Sequence, residues 1–302
     1  MGKTTVSYFL AGRLAASGLK TCFVELDIAD PTVYFVDEKL RKHLQNRADK
    51  GKGDDNPIAT LWNAWVDDGR KGMQKVIEDL PFPKAVYSKE RNEHTKDRKK
   101  YTFDVFAAVP FEVSGRAAEL LAAASSSKNH TSFLSALLAA LEESGEYDYV
   151  IVDTAAGLRD FSEAMINLKE TNVVLMLAHP TKLSILSSLE SFGHRPKGKS
   201  AKRLFVLNAA RDIDRELFAG VEEIIDFCTH WSRNGVTRST FKKMDQMITQ
   251  LRANCEGFCL IPWNEAWMRM EVNVDADDLP ARVDRLSEEL VNTVRRAAEG
   301  DD

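Results

Sequence analysis

Cysteine is scarce in this sequence of 302 residues, and its spacing leaves little room for metal or disulfide chemistry. The four cysteines are Cys22, Cys228, Cys255 and Cys259, and none forms the C-x2-C pair that closes many zinc or redox sites. We interpret Cys255 and Cys259, the closest pair, as two small apolar residues beside the start of a strand. A metal or cluster ligand is the alternative. This usage predicts a reducing, cytoplasmic compartment.

Long hydrophobic runs and a strong positive charge are also missing. No apolar run approaches the roughly 20 residues needed to span a bilayer, and the first residues do not read as a signal peptide. The net charge is -5, with 44% hydrophobic and 29% charged residues. This composition is typical of a soluble globular protein. The negative net charge argues against nucleic-acid binding over the whole surface, so any DNA contact has to be a local basic patch.

Strand and helix patterns alternate along the chain. Apolar runs predict strands at 21–26, 104–110, 149–154, 172–178, 203–208 and, more weakly, 257–262. Helical spacing predicts helices at 4–18, 132–145, 212–228 and 279–297. The expected fold class is therefore α/β, a doubly wound and mostly parallel sheet with helices on both faces. We expect a single domain over 1–302.

The stretch from about 39 to 101 interrupts this rhythm and is predicted to be an insertion at the edge of the sheet. It contains a helical pattern at 59–80 but few apolar residues for a core of its own. Its charged run at 89–100, KERNEHTKDRKK, is interpreted as a solvated or mobile loop. Trp62 and Trp65 have helical spacing, which favours core or partner contacts over base stacking.

Carboxylates follow two of the predicted strands. Asp153 ends YVIVD, where it could hold the water shell of Mg²⁺; a strand-terminal capping residue is the alternative. Glu25, Asp27 and Asp30 lie at the end of the predicted strand 21–26, and alternation places Glu25 and Asp27 on one side. Two acids facing a phosphate site can position Mg²⁺ and orient a water. A solvated turn is the other interpretation.

The first residues, Met1-Gly2-Lys3-Thr4-Thr5, match the second half of a P-loop, G-x-x-x-x-G-K-[ST], without its glycine-rich first half. Together with the acidic strand end Glu25-Leu26-Asp27 and the segment YDYVIVDTAAGL, they occur in the order found in ParA/MinD proteins. The sequence therefore resembles the ParA/MinD group of deviant Walker A ATPases, which have a SIMIBI-like P-loop NTPase fold. The resemblance covers most of the chain.

The resemblance implies ATP and Mg²⁺ as cofactors and a role for each matching residue. Lys3 contacts the β- and γ-phosphates and takes part in catalysis, Thr4 ligates Mg²⁺, and Gly2 and Thr5 complete the phosphate loop. Asp27 orients the attacking water, while Asp153 and Glu25 hold the metal shell; Glu25 replaces the aspartate that is usual in the family. Asn208, Pro262 and Asn264 match the residues that the family places beside the adenine base.

The same alignment places Met1 on the variable position of the loop. We expect the chain to begin about ten or more residues earlier, with a first strand and the missing half of the loop. A strand that feeds a P-loop lies centrally in the sheet, and its deletion would expose two neighbouring edges. The family's signature lysine, which reaches across the dimer to the partner's nucleotide, would lie in that half.

The expected function is that of a dimerising switch ATPase, weakly active and stimulated by a partner protein, which positions plasmids, chromosomes or another cargo in the bacterial cytoplasm or nucleoid. Non-specific DNA could be contacted by the five basic residues of the segment 194–203, which are Arg195, Lys197, Lys199, Lys202 and Arg203. A membrane is not expected. The stripe Val283, Leu286, Leu290 and Val294 is typical of a core-packing helix, and the acidic tail would be repelled by anionic lipid.

Two other functions are compatible with the same residues. A chain with a degenerate P-loop could serve as a non-catalytic scaffold that binds a partner protein. A small-molecule kinase or an amide-forming ligase of related P-loop fold would instead turn over a small acceptor.

Overall fold

A computed structural model describes most of the chain, and its residues fall into two compact units. The described residues are 2–27, 32–33, 40–42, 57–79, 84–90, 98–107, 127–155, 161–192, 201–211, 218, 220–233, 238–262 and 281–299. The N-terminal unit comprises Gly2–Glu170 and Ala266–Pro280, and the C-terminal unit comprises Thr171–Glu265 and Ala281–Asp302. The extent of a single domain over 1–302 stays a prediction.

A four-stranded sheet forms the centre of the N-terminal unit. Its strands are β1 (Thr21–Glu25), β2 (Lys84–Glu90), β3 (Arg98–Phe106) and β4 (Tyr149–Asp153). They lie in the order β2-β3-β1-β4, and β1 runs parallel to both β3 and β4. Of these four described strands, β2 is the one that runs antiparallel to its neighbour. The predicted mostly parallel sheet is confirmed in this unit.

Helices pack on both faces of this sheet because its strands alternate apolar side chains to each side. The helices are α1 (Lys3–Ala16), α2 (Pro57–Asp79), α3 (Ser127–Ser144) and α4 (Phe161–Asn167). Phe23 and Ile151 pack with Tyr8 of α1 on one face. Cys22 and Val24 point to the other face, where α2, α3 and α4 supply a second apolar cluster.

The predicted loop at 89–100 is wrong at both of its ends. Residues 89–90 close β2 and residues 98–100 open β3, and the two strands pair in register from Lys84 opposite Asp104 to Glu90 opposite Arg98. Residues 91–97 lie outside the described part of the chain. Among the described strands β2 lies at one edge of the sheet, and charged residues such as Lys and Glu are common on edges, where they discourage further pairing.

Helix α2, also within the predicted insertion, contributes to the main core of the N-terminal unit. Ile58, Leu61 and Trp62 are buried against α3, and the rings of Trp62 and Trp65 lie 4.9 and 5.8 Å from that of Phe133. The expected core role of the two tryptophans is confirmed. The helix is interrupted at Asp68 and Gly69, whose dihedral angles are not helical.

The C-terminal unit has a parallel sheet of three described strands in the order β5-β6-β7. These are β5 (Val173–Ala178), β6 (Lys202–Ala210) and β7 (Cys255–Pro262). The accompanying helices are α5 (Lys182–Phe192), α6 (Val221–Arg233), α7 (Arg238–Asn254) and α8 (Ala281–Glu299). The predicted strands at 172–178, 203–208 and 257–262 are confirmed.

Two helices of this unit bear on the sequence predictions. Leu290 and Val294 of α8 are buried, which confirms the core-packing interpretation of the last helix for these residues. Helix α7 was not predicted, although Met247, Ile248 and Leu251 carry helical spacing and pack into the core. Within the described residues, no helix has both the length and the apolar character needed to cross a membrane.

Candidate functional site

Helix α1 starts in a conformation that favours glycine. Gly2 precedes the helix with φ 74° and ψ 14°, in the left-handed region where a side chain is strained. Its carbonyl accepts the first helical hydrogen bond, from the Val6 N–H at 2.9 Å. The N–H groups of Lys3, Thr4 and Thr5 therefore lie at the positive end of a 14-residue helix, an arrangement that suits phosphate.

Lys3 places a buried ammonium group at this helix end. Its Nζ is buried and has no hydrogen-bond partner among the residues that the structure describes. Burial lowers the pKa of Lys3, while the nearby charges of Asp153 and Asp27 raise it. A buried charge without hydrogen bonds is costly. An anionic ligand that accepts hydrogen bonds from Nζ would remove that cost.

Asp153, at the end of β4, is 4% exposed and has both carboxylate oxygens occupied by helix α1. Thr4 Oγ1 donates to its Oδ2 at 2.6 Å, and Ser7 Oγ lies 3.0 Å from its Oδ1. Burial raises the pKa of Asp153, whereas the two hydroxyl contacts and Lys3 lower it. The carboxylate is thus fixed in orientation beside the lysine.

The register of the sheet brings the predicted acids to the α1 face. Glu25 on β1 is the Cα partner of Asp153 on β4, and Phe23 and Ile151, two residues earlier on each strand, pack on the α1 side. Residues two apart on a strand share a face. Asp27 follows β1 and acts electrostatically on both Lys3 and Asp153.

Glu25 is fully buried, and one of its oxygens holds the backbone of the following segment. Its Oε1 accepts a hydrogen bond from the Val33 N–H at 2.9 Å. Val33 itself packs against α1 in the same apolar cluster. This contact gives Glu25 a structural role; its part in the metal shell stays a prediction. Asp30 lies outside the described residues.

The oxygen donors at this site fit magnesium. Thr4 and Asp153 offer a hydroxyl and a carboxylate, and Mg²⁺ commonly takes only one or two protein oxygens together with phosphate and water. Among the described residues no cluster of three or more His, Cys, Asp or Glu could hold a metal alone.

A second group of predicted residues lies in the C-terminal unit, at the carboxyl ends of its strands. Asn208 of β6 is 5% exposed, and the next residue, Ala209, has φ 59°, a left-handed value that is uncommon for alanine. The pairing register between β6 and β7 shifts between Asn208 and Ala210, and Ala210 then pairs with Pro262. Strained backbone of this kind recurs at binding sites.

His179, after β5, contacts the same strand end and was not predicted from the sequence. The backbone N–H of His179 donates to Ser184 Oγ at 2.9 Å. Burial lowers the pKa of His179, and a hydrogen bond to the Asn208 backbone raises it. The predicted base-contacting roles of Asn208 and Pro262 stay predictions, and Asn264 lies outside the described residues.

The predicted DNA patch is corrected at Arg203. This residue is 3% exposed within β6, so it is removed from the set that could reach DNA. Lys202 pairs with Glu256 of β7 at 3.4 Å and keeps part of its side chain exposed. Arg195, Lys197 and Lys199 lie outside the described residues.

Sequence analysis missed Ser7, which lies with Lys3, Thr4 and Asp153 at the candidate phosphate site. It lies one helical turn after Lys3, and residues four apart share a face of a helix. That spacing was the available signal, but Asp153 is 146 positions away. No local pattern connects the two.

Comparison with solved structures identifies the fold. The structure of pNOB8 ParA bound to nonspecific DNA aligns with a TM-score of 0.55 at 16% identity, covering 100% of this chain and 94% of that one. Apo McdA from Cyanothece aligns with 0.53 at 16% identity over 97% and 94%, and the MinD cell division protein of Aquifex aeolicus with 0.51 at 15% over 100% and 93%. This chain has a ParA/MinD fold.

The ParA/MinD fold confirms the resemblance and the α/β class that the sequence predicted. Comparison of the sequence with protein-family models gives no match, and comparison with curated proteins gives none. At 15–16% identity the similarity concerns the ParA/MinD architecture. The roles of individual residues rest on the contacts described above.

Proposed function

We propose that this chain binds ATP with Mg²⁺ at Lys3, Thr4 and Asp153 and hydrolyses it. The observation that carries the proposal is the buried Lys3 ammonium, which has no hydrogen-bond partner among the described residues and lies at a helix N-terminus beside Asp153. Burial disfavours the charged forms of both residues. A ligand that brings negative phosphates together with a cation compensates both at once.

Each residue has a chemical task in this proposal. Lys3 and the first N–H groups of α1 offset the charge of the phosphates. The Thr4 hydroxyl can donate to Asp153 and still offer a lone pair to the metal. Magnesium, when bound, offsets the charge on the phosphate oxygens.

Asp27 is proposed to orient the attacking water. The water oxygen forms a bond to the γ-phosphorus while the bond from that phosphorus to the bridging oxygen breaks, which yields ADP and inorganic phosphate. We expect slow turnover that a partner protein stimulates.

We further propose that ATP binding drives homodimer formation and that the dimer positions cargo, with plasmid partition or DNA segregation as the leading case. One structural neighbour, pNOB8 ParA, is seen bound to nonspecific DNA. In this chain Arg195, Lys197, Lys199 and the partly exposed Lys202 remain as the proposed DNA contacts after the correction at Arg203.

A thermal-unfolding experiment with Mg-ATP tests nucleotide binding. ATP at about 100 times its dissociation constant should add roughly 2.7 kcal/mol to the free energy of unfolding. Lys3→Ala should abolish that gain, and the exposed Lys20→Ala is the matched control that should retain it. Equal stabilisation of wild type and Lys3→Ala contradicts the assignment.

The same measurement on a chain extended through the in-frame codons upstream of Met1 tests the expectation about the loop's first half. If ATP stabilises neither the given chain nor the extended chain, the ATPase proposal is contradicted. Partner binding without any nucleotide response would favour the scaffold, and ATP-dependent turnover of a small acceptor would favour the kinase or ligase.

DNA binding is tested by its dependence on salt. Replacing Arg195, Lys197 and Lys199 with glutamine should weaken binding to a random duplex. It should also reduce the slope of log affinity against log salt, by about 0.9 for each DNA phosphate that the variant no longer neutralises. An unchanged slope would show that DNA binds elsewhere on the protein, and a wild-type chain that does not bind the duplex would refute the proposed DNA contact.

A further inference from the structure

Ser7 makes a contact that nucleotide binding by Lys3 and Thr4 does not itself require. Its Oγ lies 3.0 Å from Asp153 Oδ1, 2.6 Å from the carbonyl oxygen of Lys3 and 3.4 Å from that of Thr4. A serine in or just after a helix usually satisfies its hydroxyl on the preceding turn, as the C-cap residue Ser17 does with the Arg13 carbonyl at 3.1 Å. Ser7 has both this kind of backbone carbonyl and a buried carboxylate within reach, and its one hydroxyl hydrogen can be donated to either acceptor.

The geometry divides the Asp153 carboxylate between two hydroxyl groups. Thr4 occupies Oδ2 and Ser7 faces Oδ1, and the two residues lie on the same side of α1. A carboxylate held at one oxygen can still rotate about its last bond, whereas contacts at both oxygens fix its plane. Helix α1 therefore sets both the position and the orientation of Asp153.

We propose that Ser7 is a positioning residue that holds Asp153 in the orientation needed for the metal of the bound nucleotide. The inference rests on the proposed function, because it concerns the Mg²⁺ that accompanies ATP. Ser7 contacts neither phosphate nor metal in this proposal; it acts through Asp153. Groups that orient a metal-binding side chain commonly change metal affinity by about 10- to 100-fold when they are removed.

The proposal predicts a separation between metal affinity and nucleotide affinity. Ser7→Ala should raise the Mg²⁺ concentration for half-maximal ATP binding by about tenfold. Its affinity for ATP in excess EDTA should stay within about twofold of wild type, because Lys3 and the helix N-terminus remain. Both quantities can be read from the fluorescence of a labelled ATP, with no turnover required.

Three variants serve as controls. Ser7→Thr keeps the hydroxyl and should restore the wild-type Mg²⁺ requirement, whereas Ser7→Val, of the same shape, should behave like Ser7→Ala. Ser17→Ala removes a backbone-bonded serine from the C-cap of the same helix, leaves the contacts of Asp153 intact and should change neither quantity. The Thr and Val pair keeps the comparison valid if Ser7→Ala folds poorly.

Two results overturn the proposal. One is a wild-type Mg²⁺ requirement in Ser7→Ala. The other is an equal loss of ATP affinity with and without Mg²⁺, which would show that Ser7 only supports the helix. A wild-type chain that binds ATP neither with Mg²⁺ nor in EDTA would instead refute the proposed function itself, and the role of Ser7 with it.

Discussion

Glu25 and Asp153 are direct Cα partners on two parallel strands, yet their carboxylates have different partners. Asp153 is bonded to the hydroxyl groups of α1, whereas Glu25 reaches forward to the Val33 N–H. Helix α1 therefore orients one carboxylate, and the other holds the backbone at Val33.

Glu25→Asp should lower the free energy of unfolding by about 1–3 kcal/mol, because the shorter side chain leaves the buried Val33 N–H without its acceptor. Glu25→Gln keeps an acceptor oxygen in place and should cost less. Urea unfolding of both variants checks the order. Equal stability of Glu25→Asp and wild type would show that the Val33 contact contributes nothing.

Tyr147 should make stability sensitive to alkaline pH. Burial, followed by the nearby Cys22 and Asp104, raises the pKa of its hydroxyl, which donates to Asp104 Oδ2 at 2.9 Å. Above about pH 10 the unfolded chain loses a proton that the folded chain keeps, so the free energy of unfolding falls as pH rises. Tyr147→Phe should flatten this fall in urea unfolding between about pH 8 and 11. Parallel curves for the two proteins would contradict it.

Gly72 should not tolerate a side chain. A Cβ at this position would lie 2.2 Å from the carbonyl oxygen of Ala64, across the interruption at Asp68 and Gly69. Backbone has to shift to relieve such a clash, and we expect Gly72→Ala to cost about 1–3 kcal/mol or more. Lys75→Ala, at an exposed position of the same helix, is the control. If Gly72→Ala and Lys75→Ala lower the unfolding temperature equally, the two halves of α2 move apart easily enough to relieve the clash.

Phe133 should be among the most sensitive core positions of the N-terminal unit. It is 0% exposed, and its ring lies 4.9 Å from that of Trp62 and 6.1 Å from that of Phe161. Phe133→Ala should cost about 3–5 kcal/mol. Val66→Ala, at a position 62% exposed on the helix that carries Trp62, should change stability by no more than about 0.5 kcal/mol. Chemical denaturation gives both values.

The sequence predicted the strands that form continuous apolar runs and several of the helices whose apolar residues have helical spacing. The strands ending at Glu25 and Asp153 were found because apolar runs end there in acids, and their parallel pairing follows from the helices between them. The hairpin of β2 and β3 was missed because the charges that protect an edge strand also resemble those of a solvated loop. Helix α7 was missed although its buried positions, Ile248 and Leu251, have helical spacing.

The candidate site likewise contains residues that the sequence predicted and contacts that it did not. Lys3, Thr4 and Asp153 could be proposed from motifs, and the structure places them together. The contact of Ser7 with Asp153 and the bond of Glu25 to Val33 could not, since each depends on the exact orientation of a side chain in the packed unit. Spacing along the chain specifies which face a residue occupies, but not which acceptor its hydroxyl selects.

The separation of 149 residues between Thr4 and Asp153 has a consequence for biosynthesis. In a nascent chain β3 emerges before β4, so the edge of β1 that pairs with β4 stays unpaired until β4 leaves the ribosome. Pairings of such long range form slowly, and unpaired apolar strands are prone to aggregate. About half of the polypeptide must therefore emerge before the phosphate site can assemble, and we expect chaperones that shield β1 to improve the yield of folded protein.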